Sequence, residues 1–182
     1  MNQPATKVQS PVRVFYGKYR GTVVQNVDPE LRGRIICEVP DVLGLVPSSW
    51  CEACAPLAGP TGTPMGAYFV PPMGAGVWVE FEQGDPNKPI WTGCRFATSD
   101  PPTLALAGVP VSPSIVLQTA LQNALIISDL PGPTGGIMLK STTGATLIVN
   151  DTGIYLQNGK GAMMSMVGTA IDFNGGALTI LK

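Results

Sequence analysis

Between Ile137 and Leu178, short apolar triplets recur roughly every eight residues, a solenoid-like period. They are Ile137-Met-Leu, Leu147-Ile-Val, Ile154-Tyr-Leu, Met164-Ser-Met, Ile171-Asp-Phe and Leu178-Thr-Ile. Turn residues separate them at Thr143-Gly, Asn150-Asp-Thr-Gly, Asn158-Gly-Lys-Gly and Asn174-Gly-Gly. Side chains alternate across a strand. The spacing therefore predicts one face carrying Ile137, Leu139, Leu147, Val149, Ile154, Leu156, Ile171, Phe173, Leu178 and Ile180. Met164 and Met166 join that face as adaptable filler. Lys140, Asn150, Gln157, Asp172, Asn174 and Thr179 fall on the other. Each strand is only about five residues long, and a lone meander so narrow would leave an apolar face and two open edges in water. Three copies wrapped round a common axis would bury the faces and pair the edges. The period by itself does not separate a trimer from a dimer.

The rest of the chain differs in composition. Up to Phe96 the sequence holds every Arg, Glu and Trp, with eight Lys and Arg against eight Asp and Glu. From Ala97 onward there are three Lys and four Asp and no Arg or Glu. Asp100-Pro-Pro and Val109-Pro-Val-Ser-Pro mark a Pro-rich connector between the two parts. Charged residues are only 13% of the chain while Gly (22) and Pro (18) are abundant. That balance fits an all-β protein with many turns and much covered surface rather than a disordered one.

The first part reads as five short strands. Tyr19-Arg-Gly-Thr-Val-Val-Gln-Asn-Val runs into a turn at Asp28-Pro-Glu-Leu-Arg-Gly and returns as Arg34-Ile-Ile-Cys-Glu-Val. Trp50 to Ala55 forms a third strand. Gly76-Val-Trp-Val-Glu-Phe-Glu alternates, with Val77, Val79 and Phe81 on one face and Trp78, Glu80 and Glu82 on the other. Gln83-Gly-Asp-Pro-Asn-Lys turns the chain into Pro89-Ile-Trp-Thr-Gly-Cys-Arg-Phe. Five strands in about 80 residues suit a small Greek-key barrel.

Catalytic and binding chemistry is thinly represented. The sequence has no His, the commonest general base and metal ligand. Glu80 and Glu82 share a predicted strand face, but no nucleophile or metal set accompanies them. Cys51 and Cys54 form a CxxC, yet residues three apart on a strand point to opposite faces, so with Cys37 and Cys94 they read as free thiols. Asp28, Glu30, Arg32 and Arg34 crowd one turn, read either as a docking loop or as exposed turn charges, with Asp85 and Lys88 read the same way. Trp50, Trp78, Trp91, Tyr16 and Tyr19 could stack on nucleic-acid bases. The balanced charge supplies no basic groove, so core packing and subunit contact fit them better. No catalytic, cofactor or metal residue is assigned.

The ordered set Tyr19-Arg-Gly-Thr-Val, Asp28-Pro-x-x-x-Gly-Arg, Val39-Pro, Trp50, Gly84-Asp-Pro-x-x-Pro and Gly93 resembles a known domain. It is the oligosaccharide/oligonucleotide-binding (OB) type domain shared by phage baseplate assembly protein V, phage cell-puncturing proteins and the spike proteins of type VI secretion and extracellular contractile injection systems. The stretch from Asn123-Ala-Leu-Ile-Ile-Ser-Asp-Leu-Pro-Gly through Asn158-Gly-Lys-Gly-Ala to Asn174-Gly-Gly-Ala-Leu resembles the short β-needle of small spike proteins. The resemblance implies an N-terminal arm at 1–14, an OB-type Greek-key barrel at 15–96, a connector at 97–114 and an intertwined trimeric β-helix or β-prism needle at 115–182. No lysozyme-like insert is expected between barrel and needle, where the Pro-rich connector stands, and hub contacts are expected to come from a separate protein rather than from a long N-terminal hub region.

What the resemblance implies about function is mechanical: a non-enzymatic homotrimer whose wide end meets baseplate hub and inner tube proteins. A PAAR-type tip protein would sit on the narrow end, through Leu181 and Lys182, and contact with the target membrane would be transient. Polar residues from Met1 to Pro11 and the lack of a long apolar run predict neither a signal peptide nor a transmembrane helix. Assembly is accordingly expected in the cytoplasm, in a phage-tail-like particle. No cofactor and no nucleic acid are expected. The competing readings are a hub or adaptor subunit that never meets a membrane, an OB nucleic-acid-binding protein and a glycan binder.

Overall fold

The computed structural model describes residues 13–60, 62–106, 114–133 and 135–181. The chain divides after Ala97 into two compact units. Most of the arm and part of the connector, residues 1–12 and 107–113, lie outside the described residues.

The first unit is a five-stranded barrel. Its strands are β1 (Tyr19–Gln25), β2 (Ile36–Glu38), β3 (Glu52–Ala53), β4 (Gly76–Phe81) and β5 (Pro89–Arg95), with a one-turn helix α1 (Pro40–Leu43) after β2. Sheet order is β2-β1-β4-β5-β3, antiparallel except for the parallel β3–β5 pair. The sheet closes through reciprocal backbone hydrogen bonds. Ile35 N–H donates to Cys51 O at 3.3 Å and Cys51 N–H to Ile35 O at 2.7 Å. Closure removes the exposed edges of an open sheet. Alternation along β4 puts Val77, Val79 and Phe81 inside, where they meet Val23, Ile35, Cys37, Val39, Cys51 and Trp91. The rings of Phe15, Tyr19 and Phe81 pack together with centroids 5.7–6.2 Å apart.

Several expected elements are shorter than the patterns suggest. The first strand stops at Gln25, whose side-chain Oε1 accepts the N–H groups of Asn26 and Val27 and so withdraws them from the ladder. The strand expected over Trp50 to Ala55 is regular only at Glu52–Ala53. Glu82 is not on the β4 face with Glu80; it opens the 3-10 turn Glu82–Gly84, where Gln83 takes φ 54. Gly93 lies at a bulge: Trp78 pairs with Gly93 but Val79 with Trp91, and Gly93 has φ 153, a value that disfavours side chains.

The charges of the β1–β2 turn are not all exposed. Asp28 and Arg34 are buried, at 4% and 8% exposure. The Asp28 carboxylate accepts backbone N–H groups of Glu30, Arg32 and Arg34 at 2.8–3.2 Å. It also takes the Arg34 guanidinium through Nη2 at 2.7 Å and Nε at 3.1 Å. Arg34 Nη2 reaches Glu30 at 2.9 Å as well, and its guanidinium lies 5.5 Å from the Trp50 ring centroid. A carboxylate with this many donors organises the whole connection, which open turn chemistry would not do. The Arg34 side chain, and with less weight the three N–H groups, hold the Asp28 carboxyl far below its ordinary 3.8 against the opposing effect of burial. The Arg34 guanidinium is shifted upward by the same contact.

The second unit is an eight-stranded antiparallel meander in sequence order. Its strands are β6 (Ile115–Gln118), β7 (Ala124–Ser128), β8 (Gly136–Lys140), β9 (Thr146–Val149), β10 (Ile154–Gln157), β11 (Met163–Val167), β12 (Ala170–Phe173) and β13 (Leu178–Leu181). Each strand pairs with its neighbours in sequence. Asparagine side chains shape the turns. Asn150 Oδ1 accepts from the N–H groups of Thr152 and Gly153, and Asn158 Oδ1 from those of Lys160 and Ala162. β6 is a strand that the triplet pattern did not mark.

Because the folded carboxyl of Asp28 titrates below the unfolded one, its contribution to stability is complete above the ordinary value and is lost as pH falls below it. Asp28→Asn should therefore lower the melting temperature of the barrel at pH 7 by more than about 5 °C. The gap from wild type should close as pH drops below 3.8, as thermal unfolding followed by tryptophan fluorescence would show.

Candidate functional site

The strand registers of the second unit assemble two unbroken apolar ladders on one face. One runs Ile115, Ile127, Ile137, Val149, Ile154, Met166, Ile171, Ile180, each directly opposite the next. The other runs Leu117, Leu125, Leu139, Leu147, Leu156, Met164, Phe173, Leu178. Residues directly opposite on antiparallel strands share a face with Cβ atoms about 5 Å apart, so each ladder is a continuous stripe. All twelve residues expected on the apolar face are present in these stripes.

None of the sixteen is buried. Ile137 and Leu139 are each 48% exposed, Leu156 is 47% and Ile180 is 52%. The opposite face is treated differently by the chain. Along β7, Ala124, Ile126 and Ser128 are buried. The β7–β8 connection reaches this side: Pro133 lines a cavity with Ile148 and Tyr155, and Gly132 N–H donates to Asp151 Oδ1 at 3.0 Å. The chain's own β7–β8 loop thus helps cover the second face, while among the described residues no segment covers the two ladders. The first five residues of the second ladder, Leu117, Leu125, Leu139, Leu147 and Leu156, line an open trough of about 570 Å³.

Eleven of the sixteen side chains are exposed and five are partly buried; together they offer on the order of 1,000 Å² of apolar surface, worth a gross gain on the order of 25 kcal/mol if covered. That exceeds the net stability of a typical domain, and a contiguous patch of this extent marks an interaction face. The sixteen ladder side chains carry no titratable group.

Ile115, Leu117, Leu125 and Ile127 extend the ladders beyond the predicted twelve. Their alternation was present in the sequence, but Val116 and Ile126 fill the intervening positions with apolar residues and blur the period. Of the two residues expected at the tip, Lys182 and the side chain of Leu181 lie outside the described residues.

The other candidate groups do not converge. Glu80 is paired with Lys18 at 2.7 Å and, as described, does not share a face with Glu82. Trp91 is buried and its Nε1–H donates to Gly33 O at 3.1 Å, whereas Trp78, on the opposite side of the barrel wall, lies 6.0 Å from Arg20. The tryptophans accordingly form no common stacking platform. Cys51 is buried and Cys54 exposed, so the CxxC straddles the wall. Cys37 is buried too, and a hydrogen bond with Cys51 together with burial pushes its thiol well up. Among the described residues, no group of three or more His, Cys, Asp and Glu could hold a metal ion, and no helix is long and apolar enough to cross a membrane.

Comparison with known families gives two matches. Residues 19–96 match the model described as the Type VI secretion system/phage-baseplate injector OB domain. Residues 114–179 match the phage baseplate V C-terminal trimerisation domain. No curated protein matches the chain.

A charge placed in the ladders should prevent self-association, because covering an unpaired carboxylate is costly. Ile154→Asp or Phe173→Asp should reduce the assembled species to monomer in size-exclusion chromatography with light scattering. Tyr155→Asp, on the other face, should leave assembly intact. A wild-type elution from both ladder variants would remove this face from the interface.

Proposed function

Given that this chain belongs to the spike and baseplate assembly protein V family of contractile injection systems, we propose that it is the structural spike subunit of such a machine, joining the inner tube or baseplate hub to a tip protein. The observation that carries the reading is the pair of apolar ladders, open along the whole length of a domain of trimerisation type. Three chains would turn these faces inward about one axis, forming an intertwined β-helix or β-prism. The core expected from the sequence, Ile137 to Ile180, would then become the dry axis of a needle.

The mechanical advantage follows from that arrangement. Opening any strand of such a needle would expose ladder residues of more than one chain, so local unfolding is coupled to the whole assembly. A shaft driven forward by tube contraction needs that resistance, and the scarcity of charge along it fits surfaces wound closely together. Contact with the target membrane would be brief. The narrow end, at Leu181 and Lys182, would receive a PAAR-type tip protein. Hub and inner tube proteins would attach at the barrel end, within a phage-tail-like particle assembled in the cytoplasm. No enzymatic step is proposed.

An adaptor that stays within the baseplate would use the same trimer, and the two roles differ in position. Light scattering of the purified protein should give about three times 19.0 kDa. Electron microscopy of whole particles should place it on the axis ahead of the tube. A stable monomer would defeat the needle, and a site flanking the tube would leave the adaptor role.

A further inference from the structure

The few charges of the second unit are sorted by position. In an antiparallel meander the connections emerge alternately on two flanks. Those after β6, β8, β10 and β12 lie on one flank, where Thr142 N–H donates to Asn123 Oδ1 at 3.0 Å. Those after β7, β9 and β11 lie on the other, where Gly132 N–H donates to Asp151 Oδ1 at 3.0 Å. The first flank carries Lys140, at the end of β8, and Lys160, in the β10–β11 turn. The second carries Asp129, next after β7, and Asp151, in the β9–β10 turn. Lys160, Asp129 and Asp151 are exposed and Lys140 is half-buried. Asp172 stands apart, in mid-strand on the face away from the ladders, opposite Ser165 and Thr179. Among the described residues, one flank is therefore purely positive and the other purely negative.

We infer that the positive flank of each chain lies against the negative flank of the next copy in the trimer, with Lys140 facing the neighbour's Asp129 and Lys160 the neighbour's Asp151. The inference rests on the trimer reading above. When ladders turn inward about an axis running along them, rotation brings the first flank of each chain beside the second flank of the next. Within one chain the flanks are a strand length apart, about 15 Å, too far for a lysine on one to pair with an aspartate on the other. The spacing also fixes a register. Lys140 stands one strand beyond Asp129 along the stack, and Lys160 stands one strand beyond Asp151. Neighbouring strands are about 4.8 Å apart, so a single offset of one strand serves both pairs. That offset is within the reach of lysine's flexible four-carbon stem. The opposite offset would set Lys160 against the uncharged Gly168-Thr169 turn. Exposed ion pairs contribute little singly, but the same two pairs recur at every junction between chains. Setting like flanks together would instead oppose charges of one sign.

A water-soluble carbodiimide joins a lysine amine to a carboxylate in contact with it, with loss of water. Treated full-length trimer should give denatured species of two and three chain masses. Peptide mapping of those species should find Lys140 linked to Asp129 and Lys160 linked to Asp151. A trimer whose cross-links join neither pair would overturn the inference and leave the needle untouched. Lys140→Glu/Lys160→Glu and Asp129→Lys/Asp151→Lys should each raise the dissociation constant of the trimer, measured in urea at low salt, at least about tenfold. All four substitutions in one chain exchange the two flanks, and that protein should associate at least about tenfold more tightly than either parent variant. A fourfold variant no tighter than its parents would likewise overturn the pairing. If light scattering finds a monomer before any cross-linking, the needle reading fails and the flanks lose their occupant with it.

Discussion

A single-layer sheet cannot bury both of its faces, and everything in the second unit follows from which face the chain covers by itself. The β7–β8 loop reaches the side of Ala124, Ile126 and Ile148 and brings Gly132 to Asp151. Among the described residues, no segment does the same for the ladders of Ile115 to Ile180 and Leu117 to Leu178. An isoleucine-rich stripe beside a leucine-rich stripe, eight strands long, is a core with its other half missing. The free energy available from covering it is comparable with the stability of an entire domain. Covering this face by association would therefore add directly to the stability of the unit.

The barrel solves the same problem within one chain. Its ladder closes on itself through Ile35 and Cys51, so nine apolar side chains meet inside and no partner is needed to complete them. The cost is a set of irregular connections, and the tightest of these is held by Asp28. Its carboxylate gathers three backbone N–H groups and the Arg34 side chain. A lone buried charge would be unfavourable, but one with this number of donors defines a single turn geometry. The two units thus divide the work: one is self-sufficient, and the other is a repeat that needs copies of itself. That division matches the two family domains, an injector OB domain followed by a trimerisation domain.

Much of this was legible beforehand. The alternation Val77, Val79, Phe81 put the barrel core where the structure has it, and the triplets from Ile137 to Ile180 marked one apolar face because side-chain direction along a strand has a period of two. The patterns failed where apolar residues occupied both faces, as at Ile115-Val-Leu and Leu125-Ile-Ile, and where a side chain intercepted the ladder, as at Gln25. They failed also for charge: in sequence, Asp28 and Arg34 look like any pair of turn residues, with no sign of their burial.

Local period and turn chemistry are properties of neighbours in sequence, so the sequence by itself determined most of the strands and the composition of the apolar face. Long-range pairing decided the rest. Closure of the barrel at Ile35 and Cys51, the separation of Trp78 from Trp91 across the wall and the choice of which sheet face is left open depend on contacts between residues far apart in the chain. Such contacts acquire their free energy only when the intervening loops are already closed, and no window of neighbouring residues records that.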